Sequence, residues 1–311
     1  MTLEVLFAGG PDRWASYRTP LAMALAEAGV DARLADSAED PERVEVIVYA
    51  PGSGPRDFTA YTRLRAVMGL WAGVERIVGN PTLKVPLTRM VDPAMNEGMR
   101  EYVVGHVLRH HLGLDLDLAR QDGVWRQRHV ALARERRVGV LGLGALGRAA
   151  ATALAQLGFS VSGWSRTPRD LPGLACRHGE AGLAEVLDGA EILVTLLPHT
   201  PDTEGLLDAR RLARLPAGAV IVNPGRGALI DDDALLAALD SGHLAHATLD
   251  VFRTEPLPPD HPFWSHPRVT VTPHIASETR PDTASRVIAE NLRRLAAGEP
   301  LLHLVDRQRG Y

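Results

Sequence analysis

Few stretches of this chain leave the backbone so little choice as Val138-Gly139-Val140-Leu141-Gly142-Leu143-Gly144-Ala145-Leu146-Gly147-Arg148. A short β-branched run enters a glycine-rich turn, and an alanine-rich helical pattern over 149–157 follows directly. Gly142 suits the tight turn, Gly144 removes a Cβ where a pyrophosphate must approach, and Gly147 lets the new helix pack against the strand. The helix N-terminus then offers N–H groups and a positive dipole end to phosphates. Gly142, Gly144, Ala145, Leu146 and Gly147 are therefore the candidate cofactor-binding loop. With 29 glycines in 311 residues, such spacing arises easily by chance. The strand before it and the helix after it are what point to a dinucleotide.

A chain of 311 residues is long enough for two domains, each burying its own core. An apolar fraction of 45% and a charged fraction of 23% are those of a soluble globular protein. The formal charge of −4 carries no bias toward nucleic acid. Lys84 is the only lysine, so arginine supplies nearly all the positive charge. Cys176 is the single cysteine, which rules out an intrachain disulfide and fits a reducing compartment. Glu4 comes early with no basic stretch ahead of an apolar one, so no signal peptide is expected. No apolar run reaches the length of a membrane span. The expectation is a soluble, cytoplasmic α/β protein.

Strand-like runs at 3–8 and 44–50 flank a helical pattern at 21–28, and 65–70 reads as a further strand ending at Trp71-Ala72-Gly73-Val74. The proline-punctuated 81–93 reads as extended. A long helix is expected over 96–120, with Met99, Val103, Val107 and Leu114 at helical spacing. From Arg137 the alternation restarts, with strands expected at 160–164, 191–197, 219–223, 247–251 and 269–272 and helices at 232–239 and 281–297. Repeated βα units imply parallel sheets with helices on both faces and right-handed crossovers. The expected division is 1–97 plus 281–311 as a discontinuous substrate domain and 98–280 as the dinucleotide-binding domain.

In a dinucleotide fold, an acid about twenty residues past the glycines takes the ribose hydroxyls of NAD. Here that position lies in Gly163-Trp164-Ser165-Arg166-Thr167-Pro168-Arg169, which contains no acid. Ser165 and Thr167 can donate hydrogen bonds, and Arg166 can form a fork to a 2′-phosphate. A hydrogen bond to a charged group contributes about 1.5–3 kcal/mol, roughly ten- to a hundredfold in affinity. NADPH is therefore expected over NADH, the alternative being a solvated arginine beside a permissive NAD site.

Three later stretches complete a pattern: Asn223-Pro224-Gly225-Arg226-Gly227, Asp250-Val251-Phe252-Arg253-Thr254-Glu255-Pro256 and Thr272-Pro273-His274-Ile275-Ala276. Together with Leu197-Pro198-His199-Thr200-Pro201-Asp202-Thr203, they resemble the D-isomer-specific 2-hydroxyacid dehydrogenase family over essentially the whole chain. Trp164-Ser165-Arg166, Glu255-Pro256-Leu257-Pro258-Pro259 and the ending Val305-Asp306-Arg307-Gln308-Arg309-Gly310-Tyr311 resemble its glyoxylate/hydroxypyruvate reductase A branch. The resemblance implies two Rossmann-like or flavodoxin-like domains with the active site in the cleft between them, closing to exclude water. It also implies a homodimer.

Reducing a 2-keto acid takes a hydride to carbon and a proton to the oxygen. His274 suits proton delivery, since an unperturbed imidazole titrates near pH ~6.5. A carboxylate beside it, Glu255, favours the protonated form and fixes the tautomer. Arg226 can polarise the keto oxygen and hold a carboxylate. The family's catalytic Arg, Glu and His carry over onto Arg226, Glu255 and His274. Asp250 stands where the family's acid binds the nicotinamide carboxamide, or is a strand-end turn acid. Leu197 and Pro198 pass under the cofactor, or are ordinary loop packing. Ala72, Gly73 and Val74 resemble the loop whose N–H groups hold the substrate carboxylate, an anion-binding nest being reasonable there. The alternative is a plain strand-to-helix turn.

His106 and His110 have i,i+4 spacing, with His111 adjacent, but no HExxH pattern surrounds them and no metal is expected. Trp125 reads as core or interface packing, or as reaching a neighbouring subunit's site as a tryptophan does in some relatives. Arg134-Glu135-Arg136-Arg137 reads as a solvated lead-in to the strand. The expected activity is NADPH-dependent reduction of glyoxylate to glycolate and hydroxypyruvate to glycerate, with NADH weaker. Two other readings stand beside it: a non-catalytic nucleotide-sensing protein of the same fold, or a dehydrogenase of another hydroxy acid such as a phosphoglycerate. The absence of appended terminal segments or a regulatory domain is expected to count against both.

Overall fold

A computed structural model describes residues 2–311. The chain divides into two compact units, one running up to Met95 and resuming over Thr279–Tyr311, the other spanning Asn96–Glu278.

In the first unit, β1 (Leu3–Ala8), α1 (Pro11–Glu27), β2 (Ala32–Ala35), β3 (Val46–Tyr49), β4 (Ala66–Gly69) and β5 (Leu87–Thr88) build a parallel five-stranded sheet ordered β2-β1-β3-β4-β5. Phe58, Val67, Val74, Ile77 and Leu83 join the inward residues of β1 and β3 in its core. The helix α1 starts ten residues before the expected 21–28 pattern, at Pro11, whose missing N–H costs nothing in a first turn. Its first half is largely exposed, so no apolar periodicity announces it. The tail folds onto this unit: Val305 N donates to Leu87 O at 2.9 Å, and the Arg307 guanidinium reaches the carbonyls of Leu83 and Val85.

Next come α2 (Pro93–Leu112) and α3 (Leu114–Leu118). The expected single helix over 96–120 is corrected: Gly113, at φ 68°, turns left-handed and breaks it. Met99, Val103 and Val107 are buried as their spacing predicts, but Leu114 lies past the break and is 43% exposed.

The second unit continues with β6 (Arg137–Leu141), α4 (Ala145–Gln156), β7 (Ser160–Ser165), β8 (Ala175–His178), α5 (Gly179–Gly189), β9 (Ile192–Thr195), α6 (Ala209–Leu212), β10 (Ala219–Asn223), α7 (Asp232–Asp240), β11 (Leu244–Leu249) and β12 (Val269–Val271). The last helix, α8 (Pro281–Ala297), belongs to the first unit and packs along α1. All seven strands of the second sheet run parallel, in the order β12-β11-β10-β9-β6-β7-β8. The order reverses beside β6, and ligands of open parallel sheets gather at the carboxyl ends of strands at such a point.

Side-chain alternation along these strands builds two cores. Leu141, Leu193 and Ile221 point to the layer of α5, α6 and α7, whereas Val138, Val140, Val194 and Val222 point to α2 and α4. Toward β11 and β12 the α2 layer turns polar: His110 Nε2 meets Thr248 Oγ1 at 2.9 Å, His246 meets Thr270 at 2.8 Å, and Tyr102 meets Thr272 at 2.7 Å. Burial, with the positive charge of Arg109 nearby, depresses the pKa of His110 to about 3 and that of His246 to about 4.

Trp125 is 94% exposed in this chain, which removes the core reading and leaves the interface ones. The basic lead-in before β6 is ion-paired rather than simply solvated, with Arg136 at 2.9 Å and Arg137 at 3.5 Å from Glu191. No described helix is long and apolar enough to cross a membrane.

Candidate active site

Arg226, Glu255 and His274 follow β10, β11 and β12, three neighbouring strands of one sheet. Each is held by backbone built around it. Asn223, 1% exposed, accepts from Thr195 Oγ1 at 2.6 Å and from Gly225 N at 3.1 Å, and its amide donates to Arg226 O at 3.1 Å. That clamp fixes the turn carrying the guanidinium. Gly227 permits close approach of the next loop, since a Cβ there would lie 2.0 Å from the Phe252 carbonyl carbon.

Glu255 Oε1 accepts from Phe252 N at 2.9 Å, and Oε2 meets His274 Nδ1 at 2.8 Å. Burial pushes the Glu255 carboxyl up, but its hydrogen bonds with His274 and the Phe252 N–H, aided by the charges of His274 and Arg226, outweigh it and hold the pKa below the ordinary value. The hydrogen bond to Glu255 raises the His274 pKa despite partial burial and the nearby Arg226 charge. The pair therefore favours imidazolium beside carboxylate, with Nδ1 committed and Nε2 left to act.

His274 sits at φ 56°, a left-handed conformation unusual for a non-glycine residue. Asp250 holds it there. The Asp250 carbonyl accepts His274 N at 2.9 Å. Its carboxylate, 0% exposed, accepts from Thr272 Oγ1 at 2.6 Å and from Ile275 N and Ala276 N, each at 2.9 Å. The Thr272 hydroxyl has one proton and gives it to Asp250, so Tyr102 donates to Thr272. Sequence reasoning missed this latch and the Asn223 clamp, because neither has a signal in residue spacing.

The glycine loop lies at the β6–α4 junction. Gly142 has φ 104°, and a Cβ on Gly147 would lie 1.7 Å from Gly142 O, so both must be glycine. Nothing lies within 4 Å of where a Gly144 Cβ would be, which leaves backbone open to a diphosphate at the first turn of α4, residues Ala145 and Leu146 included. These features fit a dinucleotide. The 196–198 segment runs against this loop: the Gly142 Cβ position is 2.6 Å from Leu196 O and 3.0 Å from Leu197 N. Pro198 O accepts from Thr203 Oγ1 at 2.7 Å, and Leu197 is buried.

Past β7, Ser165 Oγ donates to Thr167 O at 2.7 Å, so the proton it was expected to offer a ligand is already in use. Thr167 is exposed, and Arg166 meets Asp202 at 2.9 Å. In the first unit, Ala72, Gly73 and Val74 follow β4; Val74 is buried, and its carbonyl accepts Ile77 N and Val78 N at 3.0 and 2.9 Å. On α2, His106 packs on Tyr102, His110 bonds Thr248 of β11, and His111 lies edge-on to Phe159.

The model of the D-isomer specific 2-hydroxyacid dehydrogenase NAD-binding domain matches residues 104–276. Glyoxylate/hydroxypyruvate reductase A of Yersinia enterocolitica is 42% identical over 256 residues, covering 80% of this chain and 82% of that protein. The Serratia proteamaculans protein of the same name is 43% identical over 257 residues, with the same coverage. A D-isomer specific 2-hydroxyacid dehydrogenase from Xanthobacter autotrophicus, solved with NADPH and MES, superposes with a TM-score of 0.92 at 44% identity over 100% of both chains. An NADPH-dependent glyoxylate/hydroxypyruvate reductase from Sinorhizobium meliloti, solved with NADP and sulfate, gives 0.86 at 33% identity over 100% of this chain and 99% of that one.

Proposed function

Because this chain belongs to the D-isomer-specific 2-hydroxyacid dehydrogenase family, we propose that it is an NADPH-dependent reductase of small 2-keto acids, with glyoxylate and hydroxypyruvate as substrates. The observation that carries the reading is the 2.8 Å bond between His274 Nδ1 and Glu255 Oε2, close enough to Arg226 for its charge to act on both. The same substrates and cofactor appear in the names of the relatives.

Bound at the glycine loop, NADPH supplies the hydride that the keto carbon accepts. The chain's own residues do the rest. Arg226 holds the substrate carboxylate and draws electron density toward the keto oxygen. His274 gives that oxygen its Nε2 proton, and Glu255 steadies the imidazolium until then. Ala72, Gly73 and Val74 offer backbone N–H groups to the substrate carboxylate. Gly142, Gly144, Ala145, Leu146 and Gly147 take the diphosphate, Arg166 and Thr167 the 2′-phosphate, and Leu197 and Pro198 the cofactor's underside. Asp250 keeps His274 in place, with acceptor capacity left on its carboxylate for the nicotinamide amide.

The protein works as a cytoplasmic homodimer in this reading. Supporting the dimer are the exposed apolar side chains spaced along 114–132, among them Leu118 at 69%, Val124 at 58% and Trp125 at 94% exposure. The deciding assay follows nicotinamide absorbance with glyoxylate, hydroxypyruvate and pyruvate, each with NADPH and with NADH. Turnover with the first two and NADPH is expected, and His274→Ala should lose most of it while still binding NADPH. No turnover with any keto acid would overturn the reading.

A further inference from the structure

Arg166, the proposed reader of the 2′-phosphate, already has an anionic partner: its Nη1 lies 2.9 Å from Asp202 Oδ2. Asp202 is not a stray surface acid. It sits in a turn knotted by buried threonines. Thr200 N donates to Thr203 Oγ1 at 2.8 Å, Thr203 Oγ1 donates to Pro198 O at 2.7 Å, and Thr203 N and Glu204 N reach Thr200 O at 2.9 and 3.0 Å. Thr200 and Thr203 are 6% and 9% exposed, so the turn presents its carboxylate from a fixed place. The guanidinium is carried one residue beyond the end of β7.

We propose that Asp202 is a specificity-determining residue, a resident anion that competes with the 2′-phosphate for Arg166 and thereby narrows the margin of NADPH over NADH. The inference rests on the NADPH reading above. A 2′-phosphate carries more charge than a carboxylate and presents three acceptor oxygens, so it wins the guanidinium. An ion pair with side chains 41% and 71% exposed yields readily. Once displaced, the Asp202 carboxylate would remain beside the guanidinium as a charge of the same sign as the phosphate. NADH has no such group, and its binding does not meet this competition.

Both side chains are exposed, so substitutions there leave the fold intact. Asp202→Asn should lower the Kd for NADPH, read without substrate by tryptophan fluorescence quenching, and with it the KM, about threefold at low salt, while both constants for NADH change little. The gain should fade by about 0.5 M salt, as screening requires. Asp202→Lys should raise the NADPH-to-NADH ratio of kcat/KM further, about tenfold. The control is Arg166→Gln, which should collapse that ratio. If Arg166→Gln collapses it but both Asp202 variants leave it within about 1.5-fold of the parent, the competition is wrong and the cofactor reading stands. A ratio that falls in Asp202→Asn also overturns the proposal, because the carboxylate then positions Arg166 productively. If Arg166→Gln leaves the ratio unchanged, the assignment of Arg166 to the 2′-phosphate fails, and this inference with it.

Discussion

Replacing Glu255 by Gln removes the charge beside His274 while keeping the length of the side chain and one acceptor oxygen. The parent contact is 2.8 Å between side chains 51% and 30% exposed. A hydrogen bond between charged partners contributes about 1.5–3 kcal/mol when well shielded, and an exposed ion pair about 0–1 kcal/mol. For a half-exposed imidazole the intermediate figure is about 1 kcal/mol, or about fivefold in the protonated fraction once that fraction is limiting. Because Glu255 raises the His274 pKa, the glutamine variant should give up its proton at lower pH. At the acid end of the pH range, below both pKa values, both proteins hold the proton and this cause separates them little. At the alkaline end, above both pKa values, the variant should be about fivefold slower in reductive kcat/KM, beyond any loss common to all pH values. The assay is glyoxylate reduction followed through NADPH absorbance across that range, with single-turnover runs to isolate the chemical step. A variant-to-parent ratio that stays flat with pH refutes the role of Glu255 in holding the proton. An alkaline limb that moves to higher pH refutes it equally.

Gly147→Ala should cost about 1–3 kcal/mol of stability by overpacking and weaken NADPH binding at least tenfold, because its Cβ would lie 1.7 Å from Gly142 O; denaturant titration and fluorescence binding check both. His110 and His246 stay neutral in the folded chain down to about 3 and 4, whereas the unfolded chain protonates them near 6.5. Stability should therefore fall as pH drops below about 6.5 toward those values, and Gln at both positions should flatten the slope of unfolding free energy against pH. In the proposed dimer, Trp125→Ser should shift the mass seen by light scattering toward monomer at micromolar concentration; a dimer unchanged by the substitution would place the interface elsewhere, and a monomeric parent would overturn the dimer.

The parts legible in the sequence are those where one face of an element is uniformly apolar. The strand Leu3–Ala8 and the helix Pro281–Ala297 have the bounds expected of them, and Ala219–Asn223 likewise. The edge strands Ala32–Ala35 and Ala175–His178 went unseen, because an edge is half in water and its side chains are mostly exposed or intermediate. The 96–120 helix was overextended because Leu114 keeps the spacing past Gly113, and spacing does not register a left-handed turn. At the site, residue types in their motifs pointed to Arg226, Glu255 and His274. The supports stayed hidden: Asn223, Thr272 and Tyr102 act through bonds to partners up to 170 residues away. No periodicity encodes such partners.

Guanidinium, carboxylate and imidazole are all carried by the stretch from β10 to the turn after β12, on adjacent strands of a single unit. Their mutual spacing is thus a property of sheet register, settled when that unit folds. Changes confined to the loops that follow β1, β3 and β4, in the other unit, therefore leave that spacing untouched. A chimera with a relative's first unit should keep the pH dependence of this enzyme while adopting the relative's choice of acid.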